Sequence, residues 1–443
     1  MASRTRRTAA GVAALALLAA CAAGIAPVRA AEPQAVPGTT PAAAAAAPTA
    51  TAAACPLPAT GQTTSYGGGS DGDRRAGRPL AYRDNGDGTI TDLVTGLMWE
   101  KKADYDNSDE NCTSIEACPD PHDADNRYFW TGTGKNLDGP LVTVFLEQLN
   151  NRCSRDATVA CSADGDCAAA GGPCGFAGHR DWRLPNWREL LSLVDFGKLT
   201  PTIDDAFNNG CNGTCTIADC SCTVPNVHWT SNSLYENRTW GGYVSFYDGN
   251  LYADTKSHAF FARAVRNAAA AGSTCPQGLA VTGETESFGK GTDGDARPGL
   301  PLRFRDNGDG TVDDLNTGLT WEKKQGFDNN PVDCSDARQC PNPHEADNRY
   351  SWGSGEAFDG SVATVFLEQL NNRCSRNPTM PCNGDADCSG DSGPCGFAGH
   401  RDWRLPNAKE LHALVSYERV GPATVAEMNR ACDRDCTIFD CSC

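Results

Sequence analysis

The chain has 443 residues, among them 23 cysteines, 46 glycines and 26 prolines. Hydrophobic residues at 40% exclude wholesale disorder, and a formal charge of −18 argues against a nucleic-acid partner, because an acidic surface repels phosphate. So many cysteines point to an oxidising compartment, and outside the N-terminus no apolar run approaches the ~20 residues that cross a bilayer.

Arg4, Arg6 and Arg7 precede an apolar stretch from Ala9 to Ala20, the pattern of an export signal. Two cleavage sites compete. Val28-Arg29-Ala30 suits ordinary signal peptidase, whereas Leu18-Ala19-Ala20-Cys21 matches a bacterial lipobox. The apolar stretch ends directly at Cys21, which favours residues 1–20 as the signal and Cys21 as a lipidated first residue. Residues 21–54 then form an Ala/Pro/Thr-rich linker, with nothing to bury against a core.

The body is one unit written twice. Arg83–Thr89 recurs as Arg305–Thr311, Thr143–Arg155 as Thr364–Arg376, and Gly172–Asn186 as Gly393–Asn407. The period is far too long for a solenoid, so the copies are tandem domains. Copy one spans 55–267, a short join covers 268–274, and copy two spans 275–443. Cys443 aligns with Cys222, leaving no counterpart of the HWTSNSL, GGYVSFYDG and FARAVR segments. Copy two is therefore read as a fragment or truncation lacking its C-terminal strands, and is expected to be the less stable copy.

Each copy opens with a hairpin whose Asn-Gly and Asp-Gly steps tolerate positive φ. Val142, Phe145, Leu146 and Leu149 form one helical stripe. A cysteine-rich insertion occupies 153–174. A second helix follows Pro185, with Asn186 as N-cap and Glu189 completing a capping box. The last third of copy one is β, with strands at His228–Ser231, Tyr243–Tyr247 and Phe260–Arg266. The class is α+β.

The blocks DNGDGTITDLVTGLMWEK (84–101), GHRDWRLPNWRELLSLVD (178–195), PTIDDAF (201–207), HWTS (228–231), YVSFYDG (243–249) and RAVR (263–266) resemble the C-terminal domain family of the Legionella collagen-like protein. The match covers nearly all of copy one, and copy two through its Asp-Trp-Arg-Leu-Pro helix. The Arg-Leu-Pro block and the helix after it also resemble C-type-lectin-like and sulfatase-modifying-factor-like (formylglycine-generating) domains. The resemblance implies two tandem disulfide-rich lectin-like domains, each with two helices against a small antiparallel sheet, and a role in adhesion through sulfated glycans. The chain departs from that family in having no Gly-X-Y tract and in its acidity.

Copy one holds Cys55, Cys112, Cys118, Cys153, Cys161, Cys167, Cys174, Cys211, Cys215, Cys220 and Cys222, each with a counterpart in copy two. Eleven per copy is odd, so full oxidation requires a bridge between copies or chains, with Cys55 and Cys275 the natural pair. Spacing does not fix the other pairings. Four close sulfurs at 211–222 offer a zinc site, but export favours disulfides. Asp84, Asp87 and Asp92 read as a hairpin turn rather than a calcium loop. Asp123, Asp125 and Asn126 supply hard oxygen ligands, which makes calcium the only candidate cofactor; the alternative is a solvated turn. The Arg-Asp-Trp-Arg-Leu-Pro block reads as architectural. Trp229, Trp240, Tyr243 and Tyr247, with Asp248 and Asn250 in the adjoining turn, are the candidate ligand-binding residues, since exposed rings stack on sugars.

No hydrolytic or phosphate-binding motif stands out. The sequence thus reads as a non-enzymatic exported protein, on the cell surface or as a periplasm-facing lipoprotein, otherwise secreted. Its partner would be a glycan or an envelope component, with membrane contact only through the N-terminal lipid. The alternatives are a structural or protein-binding envelope module and, more remotely, a formylglycine-generating oxidoreductase.

Overall fold

The computed structural model describes residues 54–132, 134–268, 279–420 and 423–443. The signal, the lipobox with Cys21, the linker up to residue 53 and the join with Cys275 lie outside the described residues.

Copy one starts with an arm, residues 54–80, that carries the short helix α1 (Asp71–Arg74). Strands β1 (Tyr82–Asp84), β2 (Thr89–Asp92) and β3 (Leu97–Glu100) follow as an antiparallel meander. Its first turn is closed by side chains: Asp84 Oδ1 accepts the Gly86 amide at 2.9 Å and Asp87 Oδ1 the Thr89 amide at 3.1 Å. Gly88 has φ +88°, and a Cβ there would lie 2.5 Å from Ile217. Asp92 closes the second turn through Val94, Thr95 and the Thr95 hydroxyl. Asp84, Asp87 and Asp92 are therefore used in turns and do not cluster.

Strands β4 (Glu110–Asn111) and β5 (Asn126–Phe129) come next. The predicted helix then forms as a π-type turn over Leu141–Leu146 running into α2 (Glu147–Asn151). The wider turn shifts the buried face: Leu141 and Val144 join Phe145, Leu146 and Leu149 inside, while Val142 is only half-buried. Strands β6 (Arg152–Cys153) and β7 (Asp156–Ala160) form a small hairpin in the cysteine-rich insertion. Helix α3 (Trp187–Ser192) carries the predicted capping box, with Asn186 accepting the Glu189 amide and Glu189 accepting that of Asn186, both at 2.9 Å.

Strands β8 (Val227–Ser233), β9 (Trp240–Ser245), β10 (Leu251–Thr255), β11 (Ala259–Phe261) and β12 (Val265–Asn267) complete copy one. Two sheets result, ordered β1-β2-β3-β12 and β10-β9-β8-β11-β5-β4. They are antiparallel except at β8–β11 and β4–β5. The expected single strand over Phe260–Arg266 is corrected here, because β11 and β12 belong to different sheets. Arg263, fully buried between them, turns inward and donates to the Glu100 and Cys222 carbonyls, both at 2.6 Å. A buried guanidinium needs such acceptors, and reaching them moves the chain from one sheet to the other.

Copy two repeats the plan with α4 (Asp293–Ala296), β13 (Phe304–Asp306), β14 (Thr311–Asp314), β15 (Leu319–Glu322), α5 (Glu368–Asn372) and α6 (Ala408–His412). Its first sheet has the order β13-β14-β15. The two copies belong to one compact unit and grip each other reciprocally. Arg188 of α3 donates to the Val281 and Ala413 carbonyls of copy two, at 2.8 and 3.0 Å. Lys409, which aligns with Arg188, donates to the matching Ala59 and Ser192 carbonyls of copy one, at 2.9 and 3.0 Å. The arms cross over in the same way: Phe358 N donates to Tyr66 O at 2.5 Å, and Leu137 N to Phe288 O at 2.7 Å.

Disulfides join 112–118, 153–167, 161–174, 211–222 and 215–220, and recur in copy two as 334–340, 374–388, 382–395, 432–443 and 436–441. Each staples a short loop; Cys153, Cys161, Cys167 and Cys174 are themselves the core of the insertion. Cys55 is also disulfide-bonded, to a partner outside the described residues, where the sequence holds Cys21 and Cys275. The chain is thus a disulfide-rich α+β protein of the kind that oxidising, exported settings maintain. No helix among the described residues is long and apolar enough to cross a membrane.

Candidate functional site

The aromatic residues singled out from the sequence lie on the outer part of the six-stranded sheet. Strands β8, β9 and β10 place Trp229, Tyr243 and Tyr252 in one row across three strands. Exposure rises along it: Trp229 is fully buried, Tyr243 is half-buried and Tyr252 is 53% exposed. Phe260 of β11 stacks on Trp229 at 4.4 Å between ring centres and meets the Tyr243 ring edge-on at 5.4 Å. Tyr252 lies 6.0 Å from Tyr243. His258, in the β10–β11 turn, is 6.1 Å from Phe260, and its Nδ1 is 3.1 Å from Asp254. Burial, then Asp254, Tyr252 and Asp248, raise the Tyr243 hydroxyl above its ordinary range, so it stays a neutral donor.

Trp229 is not a binding face. Its indole donates to the Tyr128 carbonyl at 2.9 Å and its ring lies in the core beside Trp130. Asp248 and Asn250 are exposed, but they bond each other across the turn at 2.7 Å. That turn requires Gly249, with φ +78° and a Cβ position 2.9 Å from Phe196. Tyr247 is 61% exposed at the turn's edge, and Trp240 is half-buried. Sequence reasoning missed Tyr252, His258 and Phe260. Alternation along β10 points Tyr252 to the same face as Tyr243, but only the strand register shows that they are neighbours.

The acidic residues Asp123, Asp125 and Asn126 come together in one turn. Asp123 Oδ1 accepts the Asp125 amide at 2.9 Å, and Asn126 donates to the Asp120 carbonyl at 2.8 Å. The pairing of Ala103 with Asp123 brings a second acidic segment, Asp104 to Asp109, alongside. Beneath lies a buried ionic centre. Glu100 sits 3.1 Å from Lys102 and 2.9 Å from His122, and accepts the Ala264 amide at 3.0 Å. Burial pushes its carboxyl up, but Lys102 and His122 prevail and hold it below the usual range. These groups saturate one another. His228 is buried and held near 3 by desolvation and by Arg263, so it stays neutral.

Among the described residues, the only sets of three metal-ligating atoms within 4.8 Å of one another are cysteines, all of them in disulfides. The Arg-Asp-Trp-Arg-Leu-Pro block is architectural. Trp182 and Leu184 are buried, Arg183 clamps Glu189 through two 2.7 Å bonds, and Asp181 pairs with Arg266 at 2.7 Å.

No curated protein and no solved structure matches this chain. The Lcl C-terminal domain family matches it over residues 88–266 and 310–435, one segment in each copy. Those segments start at β2 and β14 and take in the capped helices and, in copy one, the six-stranded sheet, and the chain belongs to the Lcl C-terminal domain family.

Proposed function

We propose that the protein is a non-enzymatic exported recognition module, anchored at the cell surface through Cys21, and that copy one binds a glycan on the outer face of its six-stranded sheet. The observation that carries this reading is the graded aromatic row. Tyr252 and Tyr243 offer rings to solvent on a rigid base of Phe260 and Trp229, and His258 and Asp254 supply polar contacts at its rim. Pre-held rings stack on sugars at little entropic cost. A lectin-like fold agrees with this placement, and every described cysteine being in a disulfide agrees with the absence of thiol chemistry. The acidity of the chain favours neutral or cationic glycans over sulfated ones. The reciprocal grip of the copies is the one observation that favours the second reading, an envelope module that binds protein.

A glycan array probed with the full oxidised chain tests the proposal. Binding that is lost in Tyr252→Ala and weakened in Tyr243→Phe supports it. Silence from a protein with all its disulfides formed, or binding indifferent to both changes, refutes it.

A further inference from the structure

Copy one buries acidic oxygen atoms that nothing among the described residues pairs. Asp125 is 2% exposed. Its Oδ2 accepts the Asp106 amide at 2.8 Å, but its Oδ1 is buried with no hydrogen-bond partner. Asp104 Oδ1 is likewise buried and unpartnered. Ala103, just before Asp104, bonds the 122–124 turn through two 2.8 Å main-chain hydrogen bonds, which sets the two acidic loops side by side. Arg127 pairs with Asp109 at 3.1 Å. Among the described residues, none of the ion pairs reaches Asp104, Asp106, Asp123 or Asp125. A buried polar oxygen with no partner is costly.

Copy two shows what is missing. Gly326 replaces Asp104, and Pro331 replaces Asp109. Gln325 replaces Ala103 and donates to Glu345, the counterpart of Asp123, at 3.0 Å. Arg434 stands where copy one has Gly213, and its guanidinium lies 3.4 Å from Asp328, the counterpart of Asp106. Position 213 faces the same place in copy one, since a Cβ there would lie 2.6 Å from that of Asp106. Copy two sets a side-chain cation against its acidic loops. Copy one has more carboxylates there and leaves the position to glycine.

We propose that copy one binds one calcium ion between the Asp104–Asp106 and Asp123–Asp125 loops, with the free oxygens of Asp104 and Asp125 as ligands, where copy two uses Arg434. An all-oxygen set suits a hard cation rather than zinc. Among the described residues no three carboxylate oxygens converge within 4.8 Å. The ion therefore draws the loops inward, and main-chain oxygens and water complete the six to eight ligands that calcium takes. The site is separate from the aromatic face, and the inference does not depend on glycan binding.

Terbium, a luminescent stand-in for calcium, tests this on the full oxidised chain, because Tyr105 lies between Asp104 and Asp106 and can sensitise it. The expected result is emission saturating at one ion per chain and displaced by calcium at about 10⁻⁴–10⁻³ M, the range of extracellular modules. Asp125→Asn and Asp104→Gly abolish it, and Asp347→Asn in copy two leaves it unchanged. Gly213→Arg, copied from copy two, also abolishes it, although its Cβ must first displace Asp106; Asp104→Gly, which copies copy two without adding atoms, decides the matter should Asp125→Asn fold poorly. No emission from the wild-type chain, emission lost in Asp347→Asn, or emission surviving both Asp104→Gly and Gly213→Arg overturns the proposal.

Discussion

The two copies share their local structure and differ in what covers it. In copy one β3 lies between β2 and β12, with Trp99 opposite Val265. In copy two β15 pairs with β14, and no described strand lies on its other edge. Identical blocks therefore fold alike but are buried differently. Trp99 is fully buried and Trp321 half-buried; Leu190 is fully buried, whereas its counterpart Leu411 is 53% exposed. The turns and capping boxes recur unchanged, with Asn407 accepting the Glu410 amide as Asn186 accepts that of Glu189. Hairpin and helix are local decisions, while core burial belongs to the whole domain.

The largest expected effect comes from the buried ionic centres. Glu100→Gln leaves Lys102 without its charge partner in a dry site and should cost about 3–5 kcal/mol by urea unfolding. The counterpart Glu322→Gln should cost less, because its partner Lys324 is 28% exposed. The Glu100 carboxyl is held low in the fold, so its contribution is present above the ordinary carboxylate range and is lost as pH falls through the folded value. The difference between wild type and Glu100→Gln should shrink on acidification, and a constant difference would break the assignment.

Next are the helix leucines. Leu190→Ala should cost about 2–5 kcal/mol as a core truncation. Leu411→Ala should stay within about 0.5 kcal/mol, as exposed positions do. Equal costs would mean that the faces of α3 and α6 are buried alike.

The reciprocal grip gives a smaller but more specific pair. Arg188→Ala leaves the Val281, Ala413 and Val415 carbonyls short of a donor and should cost about 1–3 kcal/mol. Lys409 is pushed down to about 7 by burial, so the fold favours its neutral form. The unfolded chain then binds more protons above pH 7, and this group's contribution to stability rises from pH 7 toward the ordinary lysine range. Lys409→Met should remove that rise, whereas Arg188→Ala should leave it in place.

The last comparison concerns the arm of copy one, residues 54–80, and its counterpart from residue 279 in copy two, called arm two. Glu284 of arm two is buried against Asn232 and Ser233, and burial holds its carboxyl up to about 8. A raised carboxyl weakens the fold as pH climbs from the ordinary range to that value. Arm one has Gln62 at the matching position. Glu284→Gln should therefore raise the melting temperature at pH 9 relative to wild type and change little at pH 5.

What could be read from the sequence was what short spacing controls: the repeat, the turns closed by Asp84 and Asp92, the Asn186–Glu189 box, and the odd cysteine count that singled out Cys55. What could not be read depended on distant partners. Nothing near Arg263 shows that its guanidinium will split a strand, because its acceptors sit at Glu100 and Cys222. Trp229 and Tyr252 look equivalent as aromatics in strands, and only the order of the six-stranded sheet buries one and exposes the other. Asp123 and Asp125 were visible as oxygen donors, but Asp104 became their neighbour only through the Ala103–Asp123 pairing.

The matched contacts of Arg188 and Lys409 have a consequence for assembly. Two surfaces held on one chain by a short connection meet at an effective concentration of about millimolar, so even a feeble mutual affinity keeps them together. The inter-copy surface can then mix arginine and lysine bonds to backbone carbonyls with a few rings, such as Trp187 against Tyr417 at 4.5 Å. Duplication in one chain thus makes the association of the two halves independent of protein concentration, and each half is free to change its own loops.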